Sequence, residues 1–447
     1  MKQKSLSIAT SPIVKDDALF SGIWIRWQNL TIPERLVCAN IVLLPAWWVA
    51  GLYTYMLTFI FIGVAIYEKN HYDKLRLKSP SITVKALFAF GAYTLISVVL
   101  NDRSTSITSL LRIALFWFVP ALLLWYIQSN NIKVRFQAVA WACSVSVIQM
   151  LALWLVIHFG LSERSYAPPQ SLFGLVTGKE EEYESGSGYG NYLMPYTPHD
   201  KVFGNLSRFS FFFLYPELGA LVISYIGFIA LDIKNRRWSG LLFCGCLFLL
   251  FISGTRSVWI TFPVVLALRY LFTIGKVWGS SILFGLLAVT SFITLSLPAV
   301  TDLITNTYTG TVKATTSFRA NSSEVRQLIY QRTLERIPDN FFLGHGVAGP
   351  TVLPGFAPAR IGSHSFILGT LLYRSGLVGT GIFLVFWVSL ISWFYNTRND
   401  RPVSSYCLIL LVTLCASSMD LAGALLPLIL LLCILVRLPY SGKLQYA

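Results

Sequence analysis

Charge is scarce in this sequence. Of its 447 residues only 12% are Asp, Glu, Lys or Arg and 55% are hydrophobic, whereas soluble domains carry roughly 25% charged residues. Too little polar surface remains to cover a soluble globule of this size, so the length is not divided into soluble domains. Chemical signatures are missing as well. There is no HExxH, no cysteine pair at zinc spacing and no P-loop, and no GxGxxG serves a nucleotide, which argues against a bound metal, a nucleotide or any other resident cofactor. All seven cysteines lie inside apolar runs, so no disulfide framework is implied, and Cys244 and Cys246 read as soft core packing. No cleavable signal peptide is visible: residues 1–35 are polar or amphipathic and the first long apolar run begins at Leu36.

What is present is a series of apolar runs. A spanning helix needs about 20 mostly apolar residues, and about 17 suffice. The spans read as 36–50, 52–67, 82–99, 108–127, 136–159, 209–231, 239–254, 257–275, 280–298, 376–395, 403–418 and 422–437. The fold class is therefore all-α: a polytopic integral membrane protein of about twelve helices, with residues 1–447 forming one transmembrane domain. The first two spans are short and divided by Pro45 and Gly51, so a single broken or re-entrant unit is the alternative. Leu19–Trp27 mixes aromatics with Arg26 and is expected as an interfacial helix.

The formal net charge of +15 would suggest nucleic acid on a soluble protein; here it reads as topology, and no nucleic-acid partner is expected. With the N-terminus inside, the inner loops hold Lys69, Lys74, Arg76 and Lys78, then Lys133 and Arg135, then Lys234, Arg236 and Arg237, then Lys276, then Arg398 and Arg401. Short basic loops belong on the cytoplasmic side. Two long polar stretches then fall outside. Residues 160–208 carry the acidic run from Glu180 to Glu184 and a Gly, Tyr and Pro-rich stretch, either a solvated connector or a functional lid. Residues 300–362 carry Lys313, Arg319, Arg326, Arg332, Arg336 and Arg360. Arginine's planar fork of donors suits phosphate. Within this stretch Ser322–Ile337 predicts a helix capped by Ser322 and ended by Pro338, with Arg332 and Arg336 on one face and Arg326 roughly a quarter turn away.

Ionisable residues near membrane depth are the candidates for chemistry. Arg256 sits in FISGTRSVWITF between two spans, and Arg208 opens NLSRFSFFFLYPELG, both at the outer boundary, with Glu217 just inside after Pro216. Snorkelling to headgroups is the bland alternative for each. His364, in RIGSHSFILGTLLYRSGLVG, opens what reads as a half-helix at the outer face leading into a span. A neutral imidazole there can serve as a general base, and nearby arginines would disfavour its protonated form; a histidine satisfied by backbone is the alternative. His345 sits in a Gly-rich turn and is expected to be structural, and His199 has no supporting pattern.

Four of these segments together resemble the bacterial O-antigen ligase and O-antigen polymerase superfamily. They are SRFSFFFLYPELG, SGTRSVWI, VRQLIYQRTLERIPDNFFLGHG and GSHSFILGTLLYRSGLVG, covering roughly residues 200–395. Ser257 stands where Gly is usual, Tyr330 where Trp is common, and Ser365 where Asn is usual. The resemblance implies an all-helical GT-C type glycosyltransferase in the bacterial inner membrane, its active site facing the periplasm. It implies transfer of a glycan from undecaprenyl diphosphate, without metal, to a lipid A core sugar (ligase) or to another lipid-linked glycan (polymerase). Ser365 and the long 160–208 stretch depart from the ligase pattern. On this reading His364 is the catalytic base, and Arg256, Arg326, Arg208, Arg336 and Arg332 hold the donor's diphosphate. A lipid-linked oligosaccharide flippase and a non-catalytic membrane scaffold are the competing expectations; a transporter would commonly show repeated halves and midplane charge, and neither is visible.

Overall fold

The computed structural model describes residues 19–101, 106–160, 168–177, 192–202, 206–278, 320–353, 359–421 and 425–438. Local signals set the helix ends. Thr31 and Glu34 form a reciprocal capping box at the start of α1 (Ile32–Val42), and α2 (Leu44–Ala50) stops at Gly51, whose φ of 71° is left-handed. The two axes bend by 59°. α3 (Met56–Tyr72), α4 (Ile82–Asn101), α5 (Ile107–Asn130, capped by Ser106) and α6 (Phe136–Gly160) follow, then the short α7 (Leu172–Thr177). α8 (Pro216–Asp232) begins with proline at its first position, where the missing N–H costs nothing. α9 (Arg236–Ser253) is capped by Asn235 and ends at Gly254, φ 61°. Next come α10 (Arg256–Trp278) and α11 (Ala320–Arg336). A π-helical segment, Phe366–Arg374, runs into α12 (Ser375–Asn396). α13 (Val403–Cys415) and α14 (Leu425–Leu435) close the bundle.

Each expected span that falls among the described residues overlaps a helix, although 209–215 is strand and turn ahead of α8 and 436–437 is strand; 280–298 lies outside the described residues. Five described helices are long and apolar enough to cross a membrane, and the bent α1–α2 pair adds one broken span. α8 packs against α9 and α13, α4 against α5 and α12, α1 against α6, and α10 against α13. One continuous apolar core joins them, with Phe211, Phe213, Tyr225 and Phe228 almost fully enclosed.

Two expectations are corrected. Leu19–Trp27 is a small hairpin, β1 (Phe20–Ser21) paired with β2 (Trp24–Ile25), and not an interfacial helix. Gly22 at φ +64° supplies the turn, and a segment this short gains too few helical bonds to repay nucleation. The chain is mostly helical, as expected, with a few short strand pairs. β3 (Val134–Arg135) pairs in parallel with β6 (Val436–Arg437), and a second hairpin, β4 (Tyr196–Val202) with β5 (Leu206–Phe209), lies in the 160–208 stretch. Finally, α11 already runs from Ala320, which places Ser322 inside the helix; its end ahead of Pro338 is as expected.

Loops expected on one side meet one another. Lys133 pairs with Asp400 at 2.8 Å, Asp400 also faces Arg437 at 3.2 Å, and the Leu438 N–H donates to the Asp400 carbonyl. Glu68 holds Arg76 and accepts from the Tyr126 hydroxyl, while Asp232 joins Arg269 to the backbone of Ser404. The segments expected outside gather at another cluster.

Candidate functional site

The cluster begins with a hairpin strand. β5 delivers Arg208 into the protein, where its Nε donates to the Ser253 carbonyl at 3.0 Å and its Nη2 donates to Glu217 Oε1 at 2.9 Å and Thr255 Oγ1 at 3.2 Å. Arg208 thus ties the starts of α8 and α10 together. The chain then bends at Phe211, a non-glycine residue at φ 54°, so that Pro216 can open α8 with Glu217 in its first turn. A carboxylate there is favoured by the helix dipole. Arg256 is half-buried one residue beyond Thr255, at the first position of α10.

α11 supplies the second arginine. Ile329 and Thr333 are its buried residues, and Arg326 and Tyr330 lie on the same side. Arg326 Nη2 is 3.7 Å from the Glu217 oxygen that Arg208 already occupies. Only 5% of the Arg208 side chain is exposed, against 27% for Arg326, so Arg326 is the arginine of the pair with surface left for a ligand. Arg332 and Arg336 are exposed. Arg332 is turned to Glu335 at 3.1 Å, while Arg336 ends the helix where its carbonyl bonds the His345 ring.

His364 is held in an unusual conformation. Its φ of +65° is left-handed, a conformation that costs a β-carbon-bearing residue about 1–2 kcal/mol and that clusters at functional sites. Neighbours hold it there. The Tyr330 hydroxyl donates to the His364 carbonyl at 3.2 Å, and the Thr333 hydroxyl accepts the Gly362 N–H at 2.9 Å. Gly362 is required in this turn: its φ is +75°, and an added Cβ would sit 2.2 Å from the Tyr373 ring. The side-chain network decides the tautomer. Ser363 Oγ donates its proton to the Arg360 carbonyl at 2.6 Å, so at 2.7 Å from His364 Nδ1 it can only accept. The ring proton therefore resides on Nδ1, and Nε2 carries the lone pair. Burial foremost, and then the charge of Arg326, hold the imidazole pKa below its ordinary value, against weaker opposing effects of Glu217 and Asp420. The ring is therefore neutral near pH 7.

The π-helical segment positions this histidine. Ser365 caps it, its Oγ accepting from the Leu368 N–H at 3.1 Å. Serine and asparagine are near equivalents at such a cap. The Phe366 N–H donates to the carbonyls of Ala416 and Met419, and Asp420 accepts from Thr370 at 3.0 Å and pairs with Arg374 at 2.7 Å. Arg374 Nε in turn donates to the Gly362 carbonyl at 3.0 Å. Sequence reading missed Asp420 and Arg374 as site elements. The available signal was a carboxylate standing alone in the apolar run LCASSMDLAGALLP. His345 is structural as expected: its ring stacks on Tyr373, between Gly344 and Gly346, which both have positive φ. The side chain of His199 lies outside the described residues, as do Lys313, Arg319 and the acidic run near Glu180.

The structure thus joins Arg208, Glu217, Arg326 and His364 through contacts or mutual electrostatic influence, with Arg256 adjacent in the chain to Thr255; Arg332 points elsewhere. Among the described residues no group of three or more His, Cys, Asp or Glu is arranged to hold a metal ion. No curated protein matches the chain significantly. Residues 240–384, from α9 into α12, match the profile of the O-antigen ligase family. With the apolar helices, that match indicates a bacterial membrane protein of the glycan-transferring ligase and polymerase kind. The matched segment carries Arg256, Arg326 and His364 and is similar to the O-antigen ligase family.

Proposed function

We propose that the protein transfers a glycan from undecaprenyl diphosphate to an acceptor sugar hydroxyl at the periplasmic face of the inner membrane, by a metal-independent inverting reaction in a twelve-span GT-C type bundle. The observation that carries this reading is the neutral His364, with Nδ1 engaged and Nε2 open, beside an arginine pair that shares one carboxylate. In the reaction His364 Nε2 takes the proton of the acceptor hydroxyl. The oxygen attacks the anomeric carbon as the bond to the diphosphate oxygen breaks, and the electron pair leaves with undecaprenyl diphosphate. No covalent glycosyl intermediate forms, so configuration inverts.

The leaving group is already activated but gains negative charge as it departs. Fixed guanidinium donors stabilise that charge best when water is excluded. Arg326 and Arg256 take the direct role, and Arg208, whose donors are engaged by Ser253, Thr255 and Glu217, braces the pocket from behind. Arg336 and Arg332 lie further along α11 and serve the approach of the anionic donor.

Of the two acceptors, a second lipid-linked glycan is preferred over lipid A core, because the long 160–208 stretch departs from the ligase pattern. The deciding experiment incubates purified protein with lipid-linked repeats, with and without lipid A core, and asks which acceptor grows. Chain elongation without core supports the polymerase, and growth only on core reassigns it as a ligase. Movement of the donor across liposomes with no glycan transfer would sink the enzymatic reading in favour of a flippase.

A further inference from the structure

We infer that the protein holds the headgroup of an anionic phospholipid in a cavity at the end of the bundle remote from His364, where the α3–α4 and α5–α6 connections, the end of α12 and strand β6 come together. This site is independent of the transferase reading. α12 sets the separation. It starts beside Arg374, which is bonded to the Gly362 turn, and its 22 residues end at the cavity. At about 1.5 Å per residue that is about 30 Å, the thickness of a hydrocarbon core.

The cavity encloses about 400 Å³ and presents Lys78, Lys133 and Arg437 against the single carboxylate of Asp400. Local bonds build its walls. The Lys78 N–H donates to Ser129 Oγ at 3.1 Å, and the Trp125 indole donates to the Lys78 carbonyl at 2.7 Å. The loop after α3 is thereby fixed to the end of α5, while the exposed Lys78 side chain has no partner among the described residues. The β3–β6 pair brings Lys133 and Arg437 to the same place. Arg437 is only 6% exposed. Its Nη1 donates to the Ile434 and Val436 carbonyls, but its Nε, which faces Asp400 Oδ2 at 3.2 Å, makes no hydrogen bond. Arg401, 3% exposed, shares the Ile434 carbonyl with Arg437 and leaves its Nη2 unbonded. Burial first, and the charge of Arg437 second, push the Arg401 pKa down to about 10. Two enclosed guanidiniums therefore meet at one carbonyl with donors unspent. Such groups are costly to leave without acceptors, and a phosphate supplies both the acceptors and the opposite charge.

The surroundings favour a lipid over a soluble anion. Trp125 and Trp393 line the cavity, and tryptophan is enriched at the boundary between membrane and water. Ile82 follows the lining residue Ser81, Leu438 follows Arg437, and Tyr395 stands between Trp393 and Thr397; all three are exposed. They offer acyl chains an apolar surface next to the charged cavity. Lys78 and Lys133 come from loops expected on the cytoplasmic side, where basic pockets between helices suit anionic headgroups. A phospholipid seated here ties together four segments remote in the chain and steadies α12, the helix that leads away from the His364 segment.

The test compares phosphatidylglycerol, phosphatidylcholine and inorganic phosphate on the full-length protein in a neutral detergent. Phosphatidylglycerol should raise the unfolding temperature, and the other two should not. In native mass spectrometry with equal amounts of the two lipids, the wild type should retain phosphatidylglycerol in preference. Lys78→Gln and Lys133→Gln should each weaken that preference by about tenfold, the value of one lost charged hydrogen bond. The Lys78 side chain has no partner within the described protein, so its replacement leaves the fold intact. Lys234→Gln, at an exposed lysine of another inner loop outside the cavity, should leave the preference unchanged. Stabilisation by inorganic phosphate equal to that by phosphatidylglycerol reassigns the cavity to a soluble anion and overturns the lipid. No preference for phosphatidylglycerol in the wild type, or a loss in Lys234→Gln as large as in Lys78→Gln, overturns the site.

Discussion

The two ends of this bundle use charge differently. At one end Glu34 holds Arg135, Glu68 holds Arg76 and Asp232 holds Arg269, each carboxylate with one arginine of its own. The loop there is the exception, where the half-exposed Asp400 serves both Lys133 and Arg437. At the other end a single oxygen of Glu217 serves Arg208 and Arg326, with Arg256 close by in sequence, and Arg112 stands alone among the described residues. Matched pairs of enclosed charge are a structural solution: either partner alone would be costly, and together they fix loops to helices. On the proposed transferase reading, the excess of positive charge beside a neutral histidine serves an anionic substrate. The contrast separates arginines that hold the fold from arginines available to a substrate, although the sequence shows both kinds at helix ends in apolar surroundings.

The sharpest way to break this comparison is at His364. His364→Asn keeps a residue type that tolerates left-handed φ but removes the base, and should lower transfer by about 10²–10⁴-fold while binding of the lipid-linked donor persists. Measured turnover near wild type would mean that the imidazole is only a structural element. Next is Arg326→Gln, for which kcat/KM should fall by about 10²–10³-fold, as expected for one lost donor to developing charge; an unchanged value would place the diphosphate elsewhere. The opposite end should respond in another currency. Glu34→Gln leaves Arg135 without its partner and should cost about 3–5 kcal/mol of stability, read as a lower unfolding temperature in detergent, with the turnover of the remaining folded protein unchanged.

Smaller effects sharpen the contrast further. Protonation of Nε2 removes the base, so the acid limb of kcat/KM should have its midpoint below 6.5, the ordinary histidine value. In Arg326→Gln the residual activity should lose on the acid side at higher pH, because a charge that repels the imidazolium is gone. A midpoint that does not move would mean that His364 and Arg326 are not coupled. Least affected should be Arg332→Gln. Its side chain is 57% exposed and paired with Glu335 one turn away, and such pairs contribute about 0.3–0.5 kcal/mol, so steady-state rates should change less than about twofold.

Much of the helical layout was legible because hydrocarbon burial demands long uninterrupted apolar runs, and little else in a sequence looks like one. Arg208, Arg256 and His364 stood out for the same reason, as ionisable residues at the ends of such runs, and Arg326 through the arginine-rich helix of the 300–362 stretch. Leu19–Trp27 was misread because its aromatics suit either a hairpin or an interfacial helix, and one glycine decided between them. Asp420 was overlooked because its partners, Thr370 and Arg374, are some fifty residues earlier in the chain.

The sequence by itself determined that this is a helical membrane protein and which polar residues lie at the ends of its spans, since both follow from the local cost of placing charge in hydrocarbon. Only the tertiary structure decided which arginines share a carboxylate, which are spent on backbone carbonyls, and which nitrogen of His364 stays open. Those outcomes depend on distances between segments remote in the chain, and no local pattern encodes them.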